Sequence, residues 1–494
     1  MKTTFYSINK TSFLKFDQCP KAFFLHKKSP QLKDPVSKEK QMTFKRGHEV
    51  GNLAQHLFPG GINVSLETKN LEEAYYLTQQ LIEKKQSVIY EATFVFKQTL
   101  VMVDILNFNG KFWEAYEVKS SLKISDVYIK DACLQYYVLK NSLAEFNDFY
   151  LVTLNADYEL KEELNVMELF KKRSIRKDAE KNLIFCESKI EKALLTLEEN
   201  KVPNLPIGKH CFSPYSCDFL GTCWENTVHK KSIFNIGKTD REQLFNWYNN
   251  GITTVDKIPE QMGLHKNIQI QIESISKEKE YVDETNIKNF INSVKTQYCF
   301  LDMEVWQAAI PKYYNTKPFE QIPFLYSICY EINNEIMFEN YLKPIESDNR
   351  EIFLIQILLS TAKFETIIVY DKNLEVNILN NLKKLFPEYS AKAQELIFKL
   401  TDLSIIIQNF YYYHPKLKSN FSLKAIAEIV SEDSNYNNEA ISSGLVAMNV
   451  YESLWNESNP IIKETIYDQL KSYCNMDTLI SLKFFNLLKQ KVKD

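Results

Sequence analysis

The chain has 494 residues, 45% of them hydrophobic, with 60 Lys plus Arg against 63 Asp plus Glu and a formal net charge of -3. At roughly 100 to 200 residues per domain this length excludes one compact core, and the near-neutral balance excludes a global electrostatic pull on nucleic acid, so any such affinity has to come from local patches. No run reaches the roughly 18 uninterrupted apolar residues of a membrane helix, and the opening MKTTFYSINKTSFLKF lacks an apolar core of signal-peptide length, so the expectation is a soluble, cytoplasmic protein with no membrane partner.

In chain order, residues 1–85 read as helical, with Asn70-Leu71-Glu72-Glu73 opening a segment of helical spacing. Residues 88–119 switch to strand chemistry in VIYEATFVF, TLVMVDILNF and KFWEAYEVK. Helices resume over 126–200, and 201–223 is a loop. Residues 230–292 read as short helices forming a connector. A second strand-to-helix block begins at Gln297-Tyr298-Cys299-Phe300-Leu301 and runs to the end. The fold class expected is α/β, with domains at 1–225, 226–294 (helical connector) and 295–494.

Asn109-Gly110 between two strand-like runs is a strong hairpin signal. A two-residue loop there sets Phe108 against Lys111 and Asp104 against Ala115, with Glu117 the diagonal neighbour of Asp104 and Lys119 following on the same face. Three charges on an otherwise apolar face need a reason. One is a structural ion pair. The other is chemical: two carboxylates hold Mg2+ or Mn2+ while the lysine orients or activates water at a phosphodiester. The Asp104…Glu117-Val118-Lys119 pattern resembles the D…ExK core of the PD-(D/E)XK nucleases. Gln135 and Tyr137 in DACLQYYVL resemble the glutamine–tyrosine motif of the RecB-type branch, which implies that they assist the active site. FKRGHEVGNLAQHLFPGG is similar to that branch's first helical motif, which often supplies a histidine ligand. Here a histidine is expected near Gly51, whereas the chain offers His48 and Glu49; Glu91 is another helper to weigh.

Of nine cysteines, Cys211, Cys217 and Cys223 fall within thirteen residues at a spacing of six, and Cys19 lies far upstream in FDQCPKAFF. Cys133, Cys186, Cys299, Cys329 and Cys474 sit in apolar or amphipathic surroundings and read as core. The triplet is not a Cys-x2-Cys zinc ribbon and needs a fourth soft ligand, from His210 or Cys19. The layout of Cys19 with the triplet resembles the iron–sulfur branch of the RecB-type nucleases, which implies a 4Fe-4S cluster on Cys19, Cys211, Cys217 and Cys223 tying the domain's ends together. The first spacing is longer than in that branch, and zinc stays open as an alternative.

In the C-terminal block a buried strand ends in Asp302-Met303-Glu304, two acids on one face. TIIVY leads through Asp371 to Glu375 at a helix start. The last helix has an inner stripe of Ile466, Leu470, Tyr473, Asp477, Ile480 and Phe484, on which Asp477 is costly without a cation or donor. Asp302-x-Glu304, Glu375 and Tyr473-x3-Asp477 resemble the DEDD exonucleases of the RNase H-like, DnaQ-type superfamily, which implies four acids on two metals and a tyrosine that positions water. Glu375 stands where aspartate is usual, and Asp402 in KLTDL reads as structural.

The two halves in this order, with QIPFLYS and YYYHP between the C-terminal acids, look like a bacterial family joining a RecB-type PD-(D/E)XK nuclease domain to a DnaQ-like DEDD domain. The resemblance implies a restriction-endonuclease-like mixed sheet flanked by helices, then an RNase H-like α/β domain. It also implies a metal-dependent nuclease hydrolysing DNA phosphodiesters, exonucleolytic on single-stranded or end-bearing DNA, in repair, recombination or defence. The alternatives are an RNA-trimming exonuclease, or a nucleic-acid-binding scaffold with one inactive site. Lys171, Lys172, Arg173, Arg176 and Lys177 form the densest basic cluster, either a phosphate-steering patch or a solvated helix face.

Overall fold

A computed structural model describes residues 5–259, 263–431 and 441–493. The chain is a mixed α/β protein that divides into two compact units, Met1–Glu225 with Ala308–Phe319, and Asn226–Gln307 with Glu320–Asp494. Among the described residues no helix is long and apolar enough to cross a membrane.

The first unit runs β1 (Ile8–Asn9), α1 (Lys10–Gln18), α2 (Pro20–Lys28), α3 (Lys38–Ala54), β2 (Ile62–Asn63), α4 (Val64–Glu67), α5 (Leu71–Glu83), β3 (Val88–Phe96), β4 (Thr99–Phe108), β5 (Trp113–Lys119), α6 (Asp126–Ser142), β6 (Phe146–Leu154), α7 (Val166–Leu169), β7 (Phe170–Ser174), α8 (Arg176–Glu198) and α9 (Leu220–Trp224). Its sheet has the order β2-β3-β4-β5-β6-β7, with β1 also paired to β4. The β3-β4-β5 meander is antiparallel, and α6 crosses over to make β5 and β6 parallel. Local chemistry fixes the ends. Asn70 caps α5 by accepting from the backbone N–H of Glu72 and Glu73, and Ser125 caps α6 through Tyr128.

The hairpin differs from its expected form. Asn109 Oδ1 accepts from the backbone N–H of Lys111 (3.1 Å) and Phe112 (2.9 Å), and the Asn109 N–H donates to the Phe112 carbonyl. Those bonds move Asn109 out of the turn centre, leaving Gly110-Lys111 as the loop with positive φ on Gly110 alone (94°), the pattern of a II′ turn. Leu106 therefore faces Ala115 and Phe108 faces Trp113, and the register carried on sets Asp104 across from Glu117 instead of Ala115. A two-residue shift leaves every side chain on its expected face.

The second unit runs α10 (Arg241–Asn249), α11 (Lys266–Lys277), β8 (Tyr281–Val282), α12 (Glu284–Ser293), β9 (Tyr298–Trp306), β10 (Ile322–Ile332), β11 (Glu335–Leu342), α13 (Arg350–Thr361), β12 (Thr366–Val369), α14 (Asn373–Leu385), α15 (Ser390–Lys399), β13 (Leu400–Asp402), α16 (Ile405–Gln408), β14 (Tyr412–Tyr413), α17 (Leu423–Val430), α18 (Gly444–Ser453) and α19 (Pro460–Lys491). The sheet order is β11-β10-β9-β12-β13, antiparallel from β11 to β9 and parallel from β9 to β13.

Two boundaries depart from those expected. Residues 226–294 are not a separate connector. The apolar stripes of α11 and α12 (Ile270, Ile275, Ile287, Phe290) share one core with Phe300, Tyr412 and Phe484, because short amphipathic helices have to bury that stripe on something. Residues 308–319 belong to the first unit, where the Leu160 and Asn315 N–H groups donate to the Thr316 and Leu160 carbonyls at 3.0 and 2.6 Å.

Candidate active sites

In the first unit the strands fork around Asp104. β1 covers one side of β4 at Thr99 and Leu100, and β5 covers the same side only from Ile105 onward. The residue that follows β1, Lys10, opens α1 under a capping box formed by Asn9 and Ser12. From there its ammonium donates to Glu117 Oε1 at 2.6 Å. Lys119 donates to the same oxygen at 2.6 Å and to Asp131 Oδ2 at 2.6 Å, while Gln135 Nε2 donates to Glu117 Oε2 at 2.8 Å. Asp104 Oδ2 accepts from the Val118 N–H at 2.6 Å. Glu117, 2% exposed, is the hub.

The electrostatics follow. Burial, reinforced by the Glu117 charge, pushes Asp104 up to about 8. Burial also acts to raise Glu117, but Lys10 and Lys119 outweigh it and hold this carboxyl below its ordinary range. Burial works against both ammonium groups, yet Asp131, then Glu117, raise both above the ordinary lysine range. Asp131 Oδ1 and Gln135 Oε1 are buried without a partner, and orphaned acceptors beside a carboxylate pair suit a cation or its water. Glu91 sits between the pairs Tyr90–Ile105 and Ala92–Val103, beside Asp104 in register, with φ at 54°. Burial, then Glu117, raise its carboxyl. A non-glycine residue held there is strained, as residues at functional sites often are.

Two expected members are not brought in. Tyr137 lies two residues beyond Gln135, about 200° around the helix, so its ring packs on Phe96 and its hydroxyl faces Glu187 at 3.4 Å. His48 is exposed on α3, whose Val50 and Ala54 pack with Tyr90, Ile105 and Tyr116 on the opposite sheet face from the acids. Two members were missed. Asp131, one helical turn before Gln135, was readable from its spacing. Lys10 carries no short-range signal, because only the β1–β4 pairing delivers it. Lys10→Met takes one of two ammonium partners from the buried Glu117 carboxylate and should lower the unfolding temperature of the first unit, read by thermal melting; an unchanged melting temperature would contradict that supporting role.

The four cysteines named for a cluster converge. Cys19 caps α2 and accepts from the Ala22 N–H at 3.4 Å, Cys211 accepts from the Gly208 N–H at 3.5 Å, and the Cys217 N–H donates to the Cys211 carbonyl at 2.9 Å. Cys217 and Cys223 pack with Cys19, Leu25 and Phe219. Burial pushes the thiol of Cys217 up to about 11 and also raises Cys19 and Cys223. A loop and a helix start separated by nearly the whole unit thus present thiols to one another, each of two sulfurs already hydrogen-bonded to backbone N–H, the donor set a thiolate-held cluster takes. Asp218 strengthens the clasp by pairing with Lys15, Lys33 and Lys40.

In the second unit β9 points Asp302 and Glu304 to one face, and α19 brings Asp477 to them. Oxygens of these three carboxylates lie within 4.8 Å of one another, the one such group of metal-ligating side chains among the described residues. Glu375, in the first turn of α14, is 2% exposed and its Oε2 has no partner. Cys474, one turn before Asp477 and expected only as core, donates to Asp302 Oδ2 at 3.3 Å. Tyr473 is buried on the same helix. Gly444 abuts the cluster, since a Cβ there would lie 3.2 Å from Glu304 Oε2. Burial pushes Asp302 up to about 6, and burial together with the neighbouring acids raises Glu304 and Glu375 well above the usual range. Acids crowded this way fit a site built for divalent cations. Asp402 is structural: its Oδ1 accepts from the Ser404 and Asp371 N–H groups. Asp371 caps the turn into α14 through Asn373.

The basic cluster is split between a strand and a helix start, Arg176 and Lys177 lying in the first turn of α8. Lys171, Lys172 and Arg173 lie on β7, a sheet edge, and Lys171, Arg173 and Arg176 pair with Asp157, Asp178 and Glu180. Charges there guard an exposed edge.

A family model described as Domain of unknown function (DUF2779) matches residues 299–422, a span holding Asp302, Glu304 and Glu375 but not Asp477. No curated protein matches the chain.

Proposed function

We propose that the chain is a metal-dependent nuclease with two hydrolytic sites, a PD-(D/E)XK-type site in the first unit and a DEDD-type site in the second, acting on DNA phosphodiesters at single-stranded or exposed ends. The observation that carries the reading is the convergence of Asp302, Glu304 and Asp477, residues up to 175 positions apart, with the orphaned Glu375 oxygen beside them. Asp302, Glu304, Glu375 and Asp477 would hold magnesium or manganese, which would supply Lewis-acid activation of the phosphodiester and of the attacking water.

The residues do the rest. In the first unit Asp104 and Glu117 offer oxygens across two adjacent strands. Lys119, pinned between Glu117 and Asp131, stays an ammonium, so it orients water and stabilises charge on the phosphate without serving as a base. Gln135 fixes the Glu117 carboxylate. In the second unit Cys474 orients Asp302, and Tyr473 stands one turn from Asp477 to position water. The thiols of Cys19, Cys211, Cys217 and Cys223 would hold a 4Fe-4S cluster as a clasp. That assignment goes with a reducing, cytoplasmic setting, in which all nine cysteines are free.

The test is digestion of end-labelled single- and double-stranded DNA and RNA with Mg2+, Mn2+ and EDTA. Ion-dependent shortening of DNA supports the reading, preferential shortening of RNA moves the substrate, and binding without cleavage of any of the four leaves a scaffold. The clasp has its own test. Protein purified without oxygen should be brown with stoichiometric iron and sulfide, and Cys217→Ala should lose the colour and lower the unfolding temperature of the first unit alone; a colourless protein with one zinc would replace the cluster.

A further inference from the structure

The start of α18 lies beside the second site with donors to spare. The hydrogen-bond ladder of this ten-residue helix opens with the Ala447 N–H donating to the Ser443 carbonyl at 2.8 Å, and Ser443 Oγ accepts from the Val446 N–H at 3.4 Å. The N–H groups of Gly444 and Leu445, which a helix cannot satisfy from within, meet no acceptor among the described residues. Glu304 is their neighbour. It is 8% exposed, and among the described residues no donor reaches its carboxylate, whereas Asp302 receives the Cys474 thiol. Glu304 Oε2 lies 3.2 Å from the place a Cβ on Gly444 would take, so the missing side chain keeps a gap between carboxylate and helix start. Two unused donors at the positive end of a helix thus adjoin a buried, unpartnered acid that is itself one of the three gathered for a cation.

We propose that the start of α18 is the phosphate seat of the second site, where the Gly444 and Leu445 N–H groups donate to an oxygen of a phosphate held at the same time by a divalent ion at the acids. This rests on the reading of those acids as a metal site for phosphodiesters. The chemistry selects the ligand. A bare anion beside Glu304 is repelled by the carboxylate, and a bare cation is repelled by the N–H groups. A phosphate carried on a divalent ion satisfies both, since it presents the ion to the acid and an anionic oxygen to the donors. The ligand class is therefore a metal-bound phosphate ester, of which a nucleoside 5′-monophosphate, the product of the proposed exonuclease, is the simplest.

The experiment uses the full chain with Glu117→Gln at the first site and titrates it calorimetrically, in Mg2+, with thymidine 5′-monophosphate, inorganic phosphate and thymidine. Leu445→Pro deletes one donor in the first helical turn, where proline is tolerated, and Leu445→Ala removes the same side chain while keeping the N–H. Proline should weaken the monophosphate about tenfold or more, as the loss of a hydrogen bond to a charged group does, and alanine should leave it nearly unchanged. Inorganic phosphate should show the same loss and thymidine none, and Mg2+ titrated alone should bind both variants equally. A monophosphate affinity indifferent to proline overturns the inference, as do equal losses with alanine or for Mg2+ alone. Should Leu445→Pro fail to fold, 15N-glycine labelling of the unsubstituted chain decides. The Gly444 amide signal, identified by its absence in Gly444→Ala, should move downfield with Mg2+ and the monophosphate and stay with Mg2+ and thymidine; a signal unmoved by both overturns the inference. Monophosphate binding of the expected kind in a chain that shortens no end-labelled strand overturns the nuclease reading and leaves the seat, whereas cleavage with an indifferent Leu445→Pro overturns the seat alone.

Discussion

On the proposed reading, Glu117→Gln should silence the first site by about a hundredfold or more while the fold stays intact. The amide keeps the volume of the hub and can still meet Gln135, but it offers no anionic oxygen to a cation and no counter-charge to Lys10 and Lys119. Loss of a metal ligand costs several kcal/mol of transition-state stabilisation, and each 1.36 kcal/mol is a factor of about ten. Glu117→Ala removes the same ligand but is the poorer variant. It removes the counter-charge of Lys10 and Lys119, as the amide also does, and in addition leaves Gln135 and both ammonium groups with no acceptor at position 117 and the hub without its volume. The two variants should match in lost rate and differ in unfolding temperature, Ala well below Gln. A Glu117→Gln protein with more than a tenth of wild-type first-site cleavage would remove Glu117 from the reaction.

Asp302→Asn has an effect of similar size on the second site and the opposite effect on stability. For an acid whose folded-state pKa is raised, the folded protein holds more protons than the unfolded chain between the two values, so stability falls as pH rises through that window, from about 3.8 to about 6 for Asp302. Glu304 and Glu375 carry the same sign to higher pH. In EDTA the wild-type protein should lose stability as pH climbs from 4 to 8, and Mn2+ should restore it, with a larger rise in unfolding temperature at pH 8 than at pH 5. Asp302→Asn removes one of the crowded charges. It should therefore be inactive at the second site, more heat-stable than wild type in EDTA at pH 8, and largely unresponsive to Mn2+ there. A destabilised Asp302→Asn protein in EDTA would mean that the carboxylates are held by protein donors and not gathered for an ion.

What was legible in the sequence depended on how far the signal travels along the chain. Asp302 and Glu304 share a face because strand side chains alternate, and Asp477 stood out because it breaks an apolar helical stripe; both are local patterns, and the structure brings those acids together. The hairpin turn was legible but its centre was not, since the Asn109 side chain competes with its own backbone for the turn. Tyr137 was expected at the site from a motif, and helical geometry turns it away. Lys10 reaches Glu117 across more than a hundred residues through a two-residue strand, and no periodicity announces a contact of that kind. The connector failed for a related reason. The stripes of α11 and α12 were visible, but what they pack against was not. His48 was placed by motif analogy alone, and nothing in its own surroundings asked for a ligand.

The central claim is that two separate carboxylate sites hydrolyse phosphodiesters, and its most direct measurement is the product ladder from one end-labelled DNA strand in Mn2+. Four proteins are compared: unsubstituted, Glu117→Gln, Asp302→Asn and the double variant. The account predicts that each single variant loses one set of products and keeps the other, and that the double variant binds the strand without shortening it. Loss of every product in Glu117→Gln, with Mn2+ still raising its unfolding temperature through the second unit, would contradict it.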